Sequence, residues 1–109
     1  MRRGEIWTLS GGPGYAGKPR PTLIVQSDLA IGTPSVLTCG FTTRASDDVP
    51  LRPLFLPSPG NGLVRPSNLM SEKITAVPRT RLGRRIGALS GEELTRADGA
   101  LQLVMGFAE

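Results

Sequence analysis

The sequence predicts a mainly β protein with one C-terminal helix, folded as a small and strongly curved barrel. Three observations carry this expectation. Short apolar runs of strand length recur between turns rich in glycine and proline. Helical periodicity occurs once, at the C-terminus. The 109 residues suffice for one modest core but not two, so residues 1–109 are expected to form a single domain.

Glu5 to Leu9 forms the first expected strand. A glycine-rich loop from Ser10 to Gly17 follows, leading through Gly17-Lys18-Pro19-Arg20-Pro21 into the second strand, Pro21 to Gln26. Thr22-Leu23-Ile24-Val25 is apolar on both faces, the pattern of a central strand buried on both sides. Val36 to Thr43 is the third strand. Leu51 to Leu56 is the fourth, placed at an edge because Pro53 cannot donate to a ladder. Pro57-Ser58-Pro59-Gly60-Asn61-Gly62 is a dense turn signal. Strand pattern resumes from Leu69 to Val77 and again over the short segment Ile86 to Leu89. Ser90-Gly91-Glu92-Glu93 is a capping box, with Ser90 at the N-cap and Glu93 three residues on. Leu94, Ala97, Leu101, Val104 and Met105 then form one apolar stripe, expected to be core or interface.

Arg20 is the most informative residue. Pro19 and Pro21 restrict the backbone on either side, so a permanently charged guanidinium is held at the mouth of a core strand. Two readings stand side by side: an ordinary surface arginine beside a turn, or an anion site. Composition favours a polyanionic partner. There are 13 Lys+Arg against 9 Asp+Glu, a net charge of +4 and a pI of about 10.2. Arginine accounts for 11 of the 13 and suits bidentate phosphate contacts. Arg79, Arg81, Arg84 and Arg85 crowd together after the fifth strand and are expected to form one footprint for it, or else a solvated basic edge.

Absences exclude several chemistries. With no histidine there is no His-based acid–base catalysis, no Ser-His-Asp triad and no His metal site. No carboxylates cluster at metal-ligand spacing, so neither a metal nor another cofactor is expected. Cys39, the single cysteine, lies in the apolar run Val36 to Phe41 and is expected to be a small buried hydrophobe. One cysteine permits no internal disulfide, which fits a reducing cytoplasm. Neither a signal peptide nor a membrane span is expected.

Several pieces occur in a telling order: Arg3-Gly4-Glu5-Ile6-Trp7; Gly17-Lys18-Pro19-Arg20-Pro21 leading into Leu23-Ile24-Val25-Gln26-Ser27-Asp28; and Phe41-Thr42-Thr43. Gly62-Leu63, Pro66-Ser67-Asn68-Leu69-Met70, Glu72-Lys73-Ile74, Arg81-Leu82-Gly83 and Ile86-Gly87-Ala88-Leu89 complete the set. In this order they resemble the MazF/PemK family of toxin ribonucleases, Kid/CcdB-like by fold, over nearly the whole chain. The resemblance implies an SH3-like barrel and a homodimer that cuts single-stranded RNA at short sequences without a metal, the toxin of a toxin–antitoxin pair. It puts catalytic roles on Arg20 and Thr42. RNA contacts are implied at Ser67, Glu72 and Lys73, with Tyr15, Lys18 and Thr43 completing the expected set. Many family members carry a glutamate in the loop before the arginine, where this chain has Tyr15. An acidic antitoxin protein is the expected partner, drawn by the same positive surface that draws RNA.

RNA self-cleavage needs the 2′-OH proton removed, charge on phosphorus stabilised and the departing 5′-oxygen protonated, leaving a 2′,3′-cyclic or 3′-phosphate and a 5′-hydroxyl. Arg20 suits the second task, because a planar guanidinium matches two phosphate oxygens. Thr42 can orient the phosphate or a water. The general base stays open between Arg20, Tyr15 and solvent. Two alternatives also stay open. One is a gyrase-inhibiting CcdB-like toxin, disfavoured because that type ends in a tryptophan-glycine-isoleucine tail and this chain ends Gly106-Phe107-Ala108-Glu109. The other is a non-catalytic RNA-binding SH3-like barrel.

Overall fold

The strand-forming segments pair into one sheet. In this computed structural model they are β1 (Glu5–Leu9), β2 (Arg20–Ile24), β3 (Ser35–Thr42), β4 (Leu54–Phe55), β5 (Ser67–Pro78) and β6 (Leu82–Ala88). A 3-10 turn, Arg79–Arg81, joins β5 to β6, and helix α1 (Gly91–Val104) closes the chain. The structure describes residues 1–11, 18–45 and 50–107. Strand order is β4-β5-β3-β2-β1-β6, with every pairing antiparallel. The sheet curls into a half-barrel, as the mainly β reading with one terminal helix anticipates. The edge strands β4 and β6 are bridged by the intervening turn, where Ala88 N–H donates to Gly60 O at 2.9 Å.

β2 is central, as its apolar run predicts: Thr22, Leu23 and Ile24 are at most 2% exposed. Leu23 joins Ile6, Cys39, Phe41, Phe55 and Leu69 in the main core, under the buried Ala97 and Leu101 of α1. The opposite face carries a smaller cluster of Ile24, Val36 and Val77, against which Trp7, Leu9 and Leu82 pack. The capping box forms in full: Ser90 Oγ accepts from Glu93 N–H at 3.2 Å, and Glu93 Oε1 accepts from Ser90 N–H at 2.9 Å. Arg3 ties the helix to the sheet, pairing with Asp98 at 2.6 Å while its Nε donates to Val25 O at 3.1 Å.

Three elements differ from expectation. The fourth strand contracts to Leu54–Phe55 at the predicted edge, because Pro53 has no N–H; its carbonyl instead accepts from Leu69 N–H at 3.0 Å. β6 is longer than the segment Ile86 to Leu89, since pairing with β1 as far as Leu9↔Leu82 recruits Arg84 and Arg85 into a strand. Met105 leaves the apolar stripe and is 50% exposed. It is the C-cap, and Gly106 at φ 82° turns the chain away just beyond it.

Cys39 is the buried hydrophobe expected of it, 0% exposed, with its S–H donating to Met70 O at 2.8 Å. Burial, and secondarily the Glu72 carboxylate, pushes the thiol up to about 12. At pH 8 the native thiolate fraction is then on the order of 10⁻⁴. A thiol-reactive dye should modify Cys39 only as fast as the protein unfolds, and at once in denaturant. Stoichiometric labelling of the native protein within seconds would contradict that placement.

Candidate functional site

Arg20 opens β2 opposite Leu9 of β1, with its side chain exposed. Beside it a cleft of about 340 Å³ is cut into the sheet face away from α1. Register explains the floor. Thr22 pairs with Gly40, Ile24 with Thr38, and Thr38 with Thr75, so these side chains project from one face of three adjacent strands. Leu9, Phe41, Met70 and Val77 supply apolar walls. Lys18, Arg20, Lys73 and Arg81 bring four cations to the rim, and no carboxylate lines the cleft among the described residues.

These cations differ in freedom. Arg81 is anchored, with Nε and Nη2 donating to Ser10 O at 3.2 and 2.8 Å. The Arg20 side chain has no hydrogen bond or ion pair among the described residues, so its five N–H donors are available to an anion. On the floor, Thr22 Oγ1 is buried and has no hydrogen-bond partner among the described residues. A buried polar atom left unpaired costs about 1–3 kcal/mol, which makes Thr22 an anomaly of this face.

Thr42 ends β3. Continuing the Thr22↔Gly40 register by two residues brings Arg20 level with Thr42, so the two lie at the same end of neighbouring strands. Thr42 is half-buried and its Oγ1 accepts from Arg44 N–H at 3.2 Å. Thr43 follows, exposed, outside the cleft lining. Ser67 starts β5, 3% exposed, one residue from Asn68, which pairs with Thr42; its Oγ donates to Arg65 O at 2.8 Å. Tyr15 lies outside the described residues.

Glu72 and Lys73 sit in a bulge. Between Cys39↔Ile74 and Phe41↔Leu69, β3 advances two residues while β5 passes five, three extra. Such insertions re-aim side chains. Lys73 reaches the cleft, whereas Glu72 is taken by Arg52, whose Nε lies 3.2 and 3.1 Å from the two carboxylate oxygens and whose Nη2 lies 2.5 Å from Oε2. The Arg52 guanidinium holds the Glu72 carboxyl below its ordinary range, so it stays ionised and paired.

The arginine cluster is not one footprint. Arg79 Nε donates to Thr33 O at 2.7 Å, beside a second depression near Met1 and Ile31. Arg81 lines the cleft, and Arg85 pairs with Glu5 at 3.0 Å. Arg79 and Arg81, in the 3-10 turn, are parted by bonds to different loops, while the strand conformation of β6 sends the successive side chains of Arg84 and Arg85 to opposite faces. The structure thus gathers Lys18, Arg20 and Lys73 at one cleft, with Thr42 at the same sheet end. It adds Thr22, Thr38, Thr75 and Arg81. The threonines were hidden in the sequence because β-branched residues are ordinary in strands.

Residues 2–105 match the family described as PemK-like, MazF-like toxin of type II toxin–antitoxin system. The chain is 44% identical over 108 residues to the probable endoribonuclease MazF of Mycolicibacterium smegmatis, covering 99% of each chain. It is 33% identical to the endoribonuclease MazF9 of Mycobacterium tuberculosis, covering 94% of each. Among solved structures, an endoribonuclease in complex with its cognate antitoxin from a mycobacterial species superposes with a TM-score of 0.80 at 21% identity, over 97% of this chain and 95% of that one.

Proposed function

Since the chain belongs to the PemK-like, MazF-like toxin family of type II toxin–antitoxin systems, we propose that it is a sequence-specific endoribonuclease that cuts single-stranded RNA without a metal ion. The observation that carries this reading is the cleft in which Arg20, with no partner for its guanidinium among the described residues, stands at a cationic rim level with Thr42. A scissile phosphate seated there meets a fork of donors matched to its two non-bridging oxygens. Charge grows on those oxygens as the 2′-oxygen attacks phosphorus and the P–O5′ bond breaks, so the arginine binds the transition state more tightly than the ground state. Thr42 orients the phosphate through its hydroxyl. The 2′-OH proton leaves to solvent or a nearby side chain, and the departing 5′-oxygen is protonated, giving a cyclic phosphate and a 5′-hydroxyl. Glu72, already committed to Arg52, is not the base in this scheme. The further RNA contacts fall to Lys18 and Lys73 at the rim and to Thr43 and Ser67 near Thr42, with Tyr15, outside the described residues, keeping the contact that the family resemblance implies.

The relatives named as endoribonucleases support this activity over the gyrase-inhibiting and non-catalytic alternatives. The working form in this reading is a cytoplasmic homodimer, with RNA lying across the interface and away from any membrane. Among the described residues no helix is long and apolar enough to cross one. The natural restraint is an acidic antitoxin that competes for the cationic rim, as a cognate antitoxin accompanies the structural neighbour.

End-mapping tests the reading. Purified protein incubated with a long RNA in excess EDTA should leave 5′-hydroxyl and 2′,3′-cyclic or 3′-phosphate ends at a recurring short sequence, and the coexpressed antitoxin should suppress the cuts. Cleavage that chelator abolishes and a divalent ion restores would overturn the metal-free scheme.

A further inference from the structure

Thr22 is the residue the proposed chemistry leaves unexplained. It lies on the cleft floor at 1% exposure, and its Oγ1 has no hydrogen-bond partner among the described residues. Its surroundings are built for apolar packing: Ile24, Val36 and Val77 cluster on the same face. A valine would fill the position with the same shape and no orphaned hydroxyl. Across the strand pair, Gly40 brings no side chain, which leaves a dent beside Thr22. Among the described residues only Met70 reaches into it, its Cε 3.2 Å from where a Gly40 Cβ would stand. An unbranched thioether with three rotatable bonds is a yielding cover. Apolar walls, a buried hydroxyl beneath a movable cover and a cationic rim together match the parts of a nucleotide: base, hydrogen-bonding edge and phosphate. The cleft, about 340 Å³, falls within the usual size of small-ligand sites.

We propose that this cleft seats the base of one nucleotide flanking the cut, and that Thr22 Oγ1 hydrogen-bonds to the edge of that base as a specificity-determining residue. This rests on the ribonuclease reading. Arg20, at the mouth, holds the adjoining phosphate, and Met70 moves aside as the base enters. Specificity arises because a site with a buried hydroxyl penalises a base that cannot pair with it. The base that satisfies Thr22 removes an unpaired polar group, whereas any other base leaves it buried and orphaned.

The test is cleavage of an RNA pool randomised around the cut, with ends sequenced for the parent, Thr22→Val and Thr22→Ser. The parent should prefer one base, or bases sharing one edge pattern, at a flanking position. Thr22→Val should lose that preference by roughly 5- to 100-fold at that position alone, and should melt no lower than the parent because it removes an orphaned hydroxyl. Thr22→Ser, which keeps the hydroxyl, should retain the preference. A second measurement needs no variant: the parent given RNA with an apolar isostere of the preferred base should cut it more slowly by a similar factor. An unchanged Thr22→Val profile, or equal cutting of the isostere, overturns the assignment of Thr22 while the ribonuclease reading stands. If the parent cuts no RNA at all, that reading falls and this inference with it.

Discussion

Arg20→Ala should lower RNA cleavage by about 10³-fold or more, the scale seen when a guanidinium or oxyanion donor is removed from a transition state. Stability should stay within about 0.5 kcal/mol of the parent, as expected for an exposed side chain with no hydrogen bond or ion pair among the described residues. Lysine should rescue little of the activity. An ammonium restores the charge but not the planar fork, and it sits on a different stem. The measurement is single-turnover cleavage of a defined RNA, beside thermal melts of all three proteins. A normal rate for Arg20→Ala with a normal melt would remove Arg20 from the chemistry. A collapsed melt would show instead that the arginine supports the fold, contrary to its exposure.

The largest stability effect is expected at Gly62. Its φ is 71°, a left-handed conformation, and a Cβ there would overlap the backbone carbonyl of Ile86. The turn it belongs to bridges β4 and β6, and the neighbouring Asn61, 0% exposed, holds the turn from within. Asn61 Oδ1 accepts from Ser58 N–H at 3.0 Å and Leu63 N–H at 2.9 Å, while its Nδ2 donates to Leu56 O at 2.9 Å and Glu93 Oε2 at 3.0 Å. Backbone cannot retreat as a flexible side chain can, so Gly62→Ala should cost about 3–5 kcal/mol. Gly32 is the control. It has φ 79° but open space around the position of a Cβ, so Gly32→Ala should cost only about 1–2 kcal/mol, the conformational strain alone. Denaturant melts of the two variants separate overlap from strain. Equal losses would mean that the turn shifts freely and does not clamp the half-barrel.

Residues near in the chain, acting through backbone constraint and periodicity, determined most of the architecture. The double-sided apolar run at Thr22 to Val25 specified a central strand. Pro53 specified an edge, and Ser90 with Glu93 specified where the helix begins, since each effect acts within a few residues. Arg20 was legible as a fixed cation for the same reason, held between two prolines. Pairing partners distant in the chain decided the rest. The three-residue bulge in β5, invisible to periodicity because it depends on register with β3, sends Lys73 to the cleft and leaves Glu72 to Arg52. Arg79 and Arg81, neighbours in a basic run, are parted by bonds to carbonyls on different loops, Thr33 and Ser10. Thr22 is an unremarkable strand former in the sequence. Only the sheet shows that Gly40 stands beside it, that its hydroxyl is buried, and that no partner reaches it among the described residues, because an unsatisfied hydrogen bond is a property of the whole surrounding packing.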